Sequence, residues 1–151
     1  MVWRLYLAGE IHTDWRSELT GLGEALGLPI EFLTPNTNHH QSDACGAQIL
    51  GDEDKQFWND FKSARLNQAR NQVLLEKSDI VVVRFGEKYR QWNSAFDAGF
   101  AVANGKSLVS WHDEQLNHAL KEIDAAATAV ANSIEQVVKS LEYLTTGGLS
   151  R

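Results

Sequence analysis

The sequence predicts an α/β fold, a single-domain three-layer sandwich built on a flavodoxin-like parallel sheet of about five strands in the order 2-1-3-4-5. Three observations predict it. Ile80 to Val83 is an uninterrupted β-branched run, the pattern of a strand covered on both faces, which is the habit of parallel sheets. Short apolar runs alternate with longer amphipathic stretches along the chain, with no internal repeat, linker or low-complexity segment. A chain of 151 residues suits one domain over 1–151. At that size roughly 70% of the unfolded surface is buried on folding, so neither disulfide nor metal is needed to hold a core.

The elements follow in order. Val2 to Ala8 is a short apolar and aromatic run stopped by Gly9, read as a buried strand whose glycine lets backbone or ligand approach closely. Thr13 to Leu26 places Trp15, Leu19, Leu22 and Leu26 at helical steps, with Thr13 or Asp14 near the cap. A brief second strand starts at Pro29 and is closed by Pro35-Asn36. Asn36 to Glu53 follows no period and is expected to be a long, functional loop. Asp54 to Lys77 reads as a long helix with Phe57, Phe61, Ala64, Leu66, Val73 and Leu74 on or near its core face. After the Ile80 strand, Phe85 to Gln91 is a loop and Trp92 to Asn104 a helix, its apolar residues Phe96, Gly99, Phe100 and Ala103, ended by Asn104-Gly105. Ser107 to Trp111 is the fourth strand. A short helical stretch from Asp113 to Glu122, a weak strand at Ala127 to Val130 and a helix capped by Ser133 complete the pattern, and the tail from Thr145 should fray.

Composition narrows the partners. Fourteen Lys and Arg against twenty Asp and Glu, a net charge of −6, argue against binding bulk nucleic acid through its phosphates. No run approaches the roughly 20 apolar residues of a membrane span, and the first residues lack the pattern of a signal peptide. With a single cysteine, Cys45, the expectation is a cytoplasmic protein in a reducing compartment.

In an open α/β sheet, ligands bind beyond the carboxyl ends of the strands, where the strand order switches. That rule selects Gly9 to His12, Pro35 to Asp43, Phe85 to Tyr89 and Trp111 to Asp113, segments that hold most of the chain's unusual polar groups. Asn93 and Asp97, four apart on the following helix, can share its crevice-facing side. From periodicity, Asp97 is either a solvated helix acid or a semi-buried carboxylate, since its neighbours are Ala95, Phe96, Ala98 and Gly99. His39, His40, Asp43 and Cys45 cluster, but their spacing matches neither a zinc finger nor an HExxH helix, so no metal is expected. The Gly21-x-Gly23 pair lies outside a strand-to-helix turn and is not a dinucleotide fingerprint. Trp3, Trp15, Trp58 and Trp111 are expected in the core, whereas Trp92 stands where it could stack on a planar ligand. Arg16, Arg65 and Arg70 are expected on the solvated surface, with an anion as the alternative partner.

Tyr6-Leu7-Ala8-Gly9 resembles the opening motif of the nucleoside 2-deoxyribosyltransferases. Asn93-Ser94-Ala95-Phe96-Asp97-Ala98-Gly99-Phe100-Ala101, followed by Gly105-Lys106, resembles their Gly-(Thr/Ser)-Ala-Phe-Glu-(Ile)-Gly-(Tyr/Phe)-Ala helix. More closely, nearly the whole chain is similar to the YtoQ family grouped with them, through Tyr6 to His12, Asn38-His39, Ser42-Asp43 and, most specifically, Phe85-Gly86-Glu87-Lys88-Tyr89 with Gln91-Trp92-Asn93. The resemblance implies that a helix carboxylate attacks the anomeric carbon of a nucleoside, expels the base and leaves a glycosyl-enzyme that another base or water resolves. Asp97 stands in place of the family glutamate, shorter by one bond, and two further family aspartates fall near Arg70 or Asn71 and near Gln91, none of them acidic.

The expected catalytic residues are therefore Asp97, with Glu87 and Glu10 as acid or base. Tyr6, Gly9, His12, His39, Asp43, Asn67, Gly86, Trp92 and Asn93 are expected to bind substrate, His12 and His39 also serving in proton transfer. The expected partner is a small nucleoside or nucleotide, without a cofactor, and the resemblance implies a homo-oligomer. Two other readings stand beside the enzyme: a nucleotide-binding or sensing module that keeps the crevice without turnover, which the missing acids favour, and a purely structural protein. The last leaves the gathering of Gly, Glu, His and Asn at the strand ends unexplained.

Overall fold

A computed structural model describes residues 1–150 of the chain. Five parallel strands form one sheet in the order β2-β1-β3-β4-β5: β1 (Trp3–Gly9), β2 (Ile30–Leu33), β3 (Ile80–Arg84), β4 (Ser107–Trp111) and β5 (Ala129–Ala131). Among the described residues, five α-helices connect the strands, α1 (Trp15–Ala25), α2 (His39–Leu50), α3 (Gln56–Lys77), α4 (Trp92–Ala103) and α5 (Lys121–Ala126), and a sixth, α6 (Ile134–Thr146), follows β5. β1 lies between β2 and β3, pairing Leu5 with both Phe32 and Ile80, so the strand order reverses beside it and leaves a crevice at its carboxyl end.

Alternation along the strands divides the core in two. Leu5, Leu7, Ile80, Val82 and Val109 face α1 and α6, where Trp15, Leu19, Val137 and Leu141 close one layer. Tyr6, Ala8, Val81, Val83 and Leu108 face the other way, against Leu75 of α3 and Ala98 and Ala101 of α4. The β-branched β3 is buried on both sides, as parallel pairing requires.

Several elements differ from the sequence pattern. The segment expected as a loop between Asn36 and Glu53 holds α2, capped by the Asn38 side chain, which accepts from the Gln41 amide at 3.0 Å. Its helical period was hidden because α2 has no apolar stripe. It docks on α3 by close backbone approach at Gly46, where a Cβ would stand 2.4 Å from the Ser63 nitrogen. Ser63 receives the Gly46 amide at 3.0 Å and donates to the Asp43 carbonyl at 2.6 Å, and the Asn67 amide group donates to the Ser42 carbonyl at 2.9 Å. Because the first half of α3 serves α2 and not the sheet, Phe57, Trp58, Phe61 and Leu66, expected in the core, are exposed; Val73, on the second half, is exposed as well. On α1, Leu22 and Leu26 are likewise exposed, and Gly23 takes the next inward position beneath the Phe32 ring.

On α4 the buried residues are Ser94, Asp97, Ala98 and Ala101, whereas Phe96 is exposed, so the helix presents its small residues to the sheet and not the expected Phe96 to Ala103 face. The stretch from Asp113 splits into a 3₁₀ turn at Glu114–Leu116 and α5. The tail is better tied than expected, with Thr146 still helical and the Ser150 amide donating to Glu142 at 2.6 Å. Among the described residues, no helix is long and apolar enough to cross a membrane.

Gly46→Ala is expected to lower stability by about 1–3 kcal/mol through overpacking. In hydrogen exchange, protection should fall in α2 and the facing half of α3 while β1 and β3 keep theirs.

Candidate active site

The carboxyl ends of β1 and β2 open into a cleft of about 600 Å³. That lies within the roughly 300–1,000 Å³ of small-molecule sites. Gly9, Glu10 and His12 come from the turn after β1 and form one wall. His39, Ser42 and Asp43 of α2 form a second, backed by Asn67 and Asn71 of α3. Asn93 and Asp97 of α4, with Tyr89, Arg90 and Gln91 of the preceding loop, form the third.

Asp97 is the chemically exposed group in this frame. Its place on the inward stripe of α4 leaves the residue only 6% accessible, yet it borders the cleft. Among the described residues, no hydrogen bond reaches its carboxylate, and burial pushes its pKa up to about 6. On the same side of the sheet, Tyr6 is fully buried and its hydroxyl has no hydrogen-bond partner among the described residues. Burial, with the Asp97 charge adding to it, holds that phenol well above the usual tyrosine range, so it stays neutral.

Glu10 is differently placed. Its carboxylate accepts from the His12 amide at 2.6 Å, the Thr13 amide at 3.1 Å and the Thr13 hydroxyl, and faces the Arg84 Nε at 3.5 Å. Burial alone would raise its pKa, but the Thr13 hydroxyl, the two amides and Arg84 outweigh it and hold the group below the usual glutamate range. Arg16, expected on the surface, is instead buried, donating to the carbonyls of Leu7 at 3.0 Å, Gly9 at 3.0 Å and Glu10 at 2.6 Å. Burial pulls its pKa down to about 10, which leaves it charged at neutral pH. Gly9 itself has φ +125°, and a Cβ there would meet the Arg84 carbonyl oxygen at 2.2 Å, so no other residue fits the close approach of β1 to β3.

The remaining expected site residues divide between two cavities. His12 packs on the Tyr89 ring with centroids 4.7 Å apart, and His39 pairs with Asp43 at 3.3 Å, both bordering the Asp97 cleft. Gly86, Glu87 and Trp92 line a neighbouring, more apolar cavity of about 740 Å³ with Phe85, Leu120 and Ile123, and so are not brought to Asp97. Glu87 is fully solvated, and the nearby Asp113 carboxylate raises its pKa. Trp92 is 72% exposed. The wall between the cavities is the loop before α4, clipped by Gln91, which accepts from the Gly86 amide at 3.0 Å and donates to the Tyr89 carbonyl. His112 is buried between the Asp113 carbonyl and the Asp124 carboxylate, away from the cleft. Among the described residues, no group of three or more His, Cys, Asp or Glu is placed to hold a metal ion.

Residues that sequence reasoning did not assign to the site also border it. Asn71 repeats the four-residue step of Asn93 and Asp97 from Asn67, a signal that was present in the sequence. Ser42 lies in the Pro35 to Asp43 segment that the strand-end rule selects, but it received no role of its own because the helix that presents it was not legible.

A doubly wound parallel sheet with a nearly buried carboxylate bordering a cleft beside its first strand places the chain among the α/β sandwich proteins. The profile of the family described as "Nucleoside 2-deoxyribosyltransferase YtoQ" matches residues 6–145, and the chain belongs to that family. The Bacillus subtilis (strain 168) protein YtoQ, described as uncharacterized, is 43% identical over 140 residues, covering 93% of this chain and 95% of its own. Among solved structures, the 2-deoxyribosyltransferase of Bacillus psychrosaccharolyticus superposes with a TM-score of 0.62 at 16% identity, over 89% of this chain and 90% of that one. A conserved protein from Enterococcus faecalis V583 gives 0.61 at 17%, over 95% and 99%. The shared fold is thus that of a nucleoside 2-deoxyribosyltransferase.

The Asp97 environment has a measurable cost. Its folded pKa of about 6 exceeds the unfolded value, so between the two the native chain holds a proton that the unfolded chain has lost. Stability therefore falls as pH rises through that window, by on the order of 1–3 kcal/mol in all. Asp97→Asn should recover that amount at about pH 8, and the gain should shrink several-fold at about pH 4. Urea denaturation of both proteins at the two pH values measures it.

Proposed function

We propose that the chain is an enzyme that cleaves or exchanges the N-glycosidic bond of a nucleoside or nucleotide, with Asp97 as nucleophile. The observation that carries this is a carboxylate 6% accessible, without a hydrogen bond among the described residues, facing a cleft large enough for such a molecule. One Asp97 oxygen attacks the anomeric carbon as the bond to the base nitrogen breaks. The base leaves with the bonding pair and takes a proton, and the sugar is held as an ester on Asp97. Water or a second base then attacks the same carbon and releases Asp97, so two inversions return the original configuration. His12 is the proton donor that best suits the leaving base, because it borders the cleft without a carboxylate partner, whereas His39 is paired with Asp43. Asn93 and Asn67, both bordering the cleft, suit sugar hydroxyls. The exposed Phe57, Trp58 and Phe61 cluster is in keeping with self-association.

One observation favours binding without turnover. Where related transferases are expected to carry further acids, the cleft presents Asn71 and Gln91, and Gln91 is already engaged by its own loop. A single assay separates the readings: incubation with nucleosides and 5′-monophosphates, with and without acceptor base, following base release by chromatography. The enzyme reading expects release that rises with pH through about 6 as Asp97 ionises and falls again at higher pH as the proton donor is lost, and intact-mass detection of the sugar ester. Asp97→Asn should lower the rate at least about 1,000-fold while still binding ligand. Saturable binding with no release from any compound would leave the sensing module as the reading.

A further inference from the structure

We propose that Glu10 is the residue by which this cleft refuses phosphate. Its carboxylate fills, from within the chain, the anion seat built by the β1 to α1 turn, so the cleft takes an uncharged, hydroxyl-bearing sugar in preference to a phosphorylated one. This deepens the glycosyl-transfer reading and rests on it for the identity of the ligand.

The donor set around Glu10 is one that proteins use for phosphate. Two successive amides of the turn that precedes α1, His12 at 2.6 Å and Thr13 at 3.1 Å, converge on one carboxylate oxygen, the Thr13 hydroxyl meets the other, and Arg84 stands at 3.5 Å. Glu10 is only 5% accessible there, and Gly86 makes the room, since a Cβ on Gly86 would lie 2.9 Å from the Glu10 Cγ. With this seat filled, an incoming phosphate would meet a fixed negative charge.

The surrounding cations offer no second seat. Arg16 is held by three backbone carbonyls, Arg70 donates to the Thr34 carbonyl at 3.1 Å, and Arg84 divides itself between Glu10 and the Trp111 ring, 4.0 Å beneath it. His39 is paired with Asp43. Among the described residues, the cleft wall thus carries the carboxylates of Glu10, Asp43 and Asp97 against the guanidinium of Arg90, which packs toward Trp92 on the side of the neighbouring cavity.

The test has two arms. In the first, inorganic phosphate is titrated into the wild-type protein, Glu10→Ala and Glu10→Gln, reading the His12 and Thr13 amides by NMR. The wild type should show no saturable shift at these amides, and Glu10→Ala should gain one. Should Glu10→Ala fail to fold, Glu10→Ser, which also empties the seat, carries the same expectation, while Glu10→Gln, whose amide oxygen still occupies it, serves as the filled control. Saturation in the wild type, or none in folded Glu10→Ala or Glu10→Ser, overturns the proposal. In the second, calorimetry compares 2′-deoxynucleosides with their 5′-monophosphates. The wild type should favour the nucleoside by about tenfold or more, and Glu10→Ala should narrow that gap by about tenfold. A wild-type preference for monophosphates overturns the role of Glu10 and leaves the nucleoside site standing. The expected phosphate result with no nucleoside or nucleotide bound would instead remove the glycosyl-transfer reading and keep Glu10 as the occupant of the anion seat.

Discussion

The guanidinium of Arg16 is the fastening on which the rest of the site depends. At the carboxyl end of β1 the chain leaves the sheet, and the Leu7, Gly9 and Glu10 carbonyls would face a buried environment without ladder partners. Arg16 donates to all three. A fork of fixed donors does this where a lysine could not, because its planar geometry spans several acceptors at once. With that end held, Gly9 can lie against β3, the Glu10 amide can donate to the Arg84 carbonyl at 3.0 Å, and the Glu10 side chain can accept from the His12 and Thr13 amides of the turn that leads into α1.

A second constraint comes from the small residues of α4. Ser94, Ala98 and Ala101 let the helix settle closely on β3 and β4, and that approach carries Asp97 under cover at the cleft margin. A larger inward side chain would lift the helix and bathe the carboxylate in water, where it would behave as an ordinary aspartate. The price is a destabilising charge, of the kind that marks sites of chemistry more often than sites of packing.

The third wall is borne by an attachment. α2 rests on α3 through glycine, serine and asparagine contacts, and it presents His39 and Asp43 to a cleft whose other walls belong to the sheet and α4. Such a polar hairpin can change its composition without disturbing the core.

The sheet and its order were legible because parallel strands covered on both sides must be written as apolar, β-branched runs such as Ile80 to Val83. The crevice followed from strand order, and the motif around Asp97 pointed to its family. What the sequence could not decide was which way each helix turns and which polar groups consume one another. Phe96 and Asp97 are neighbours, and only packing against β3 and β4 buries the acid and exposes the ring. Glu10 and Glu87 read alike in the sequence, yet one is bound by backbone amides and the other stands in solvent beside Asp113. α2 was hidden for the same reason: its stability lies in a close approach to another helix, and contacts of that kind leave no period in the chain that makes them.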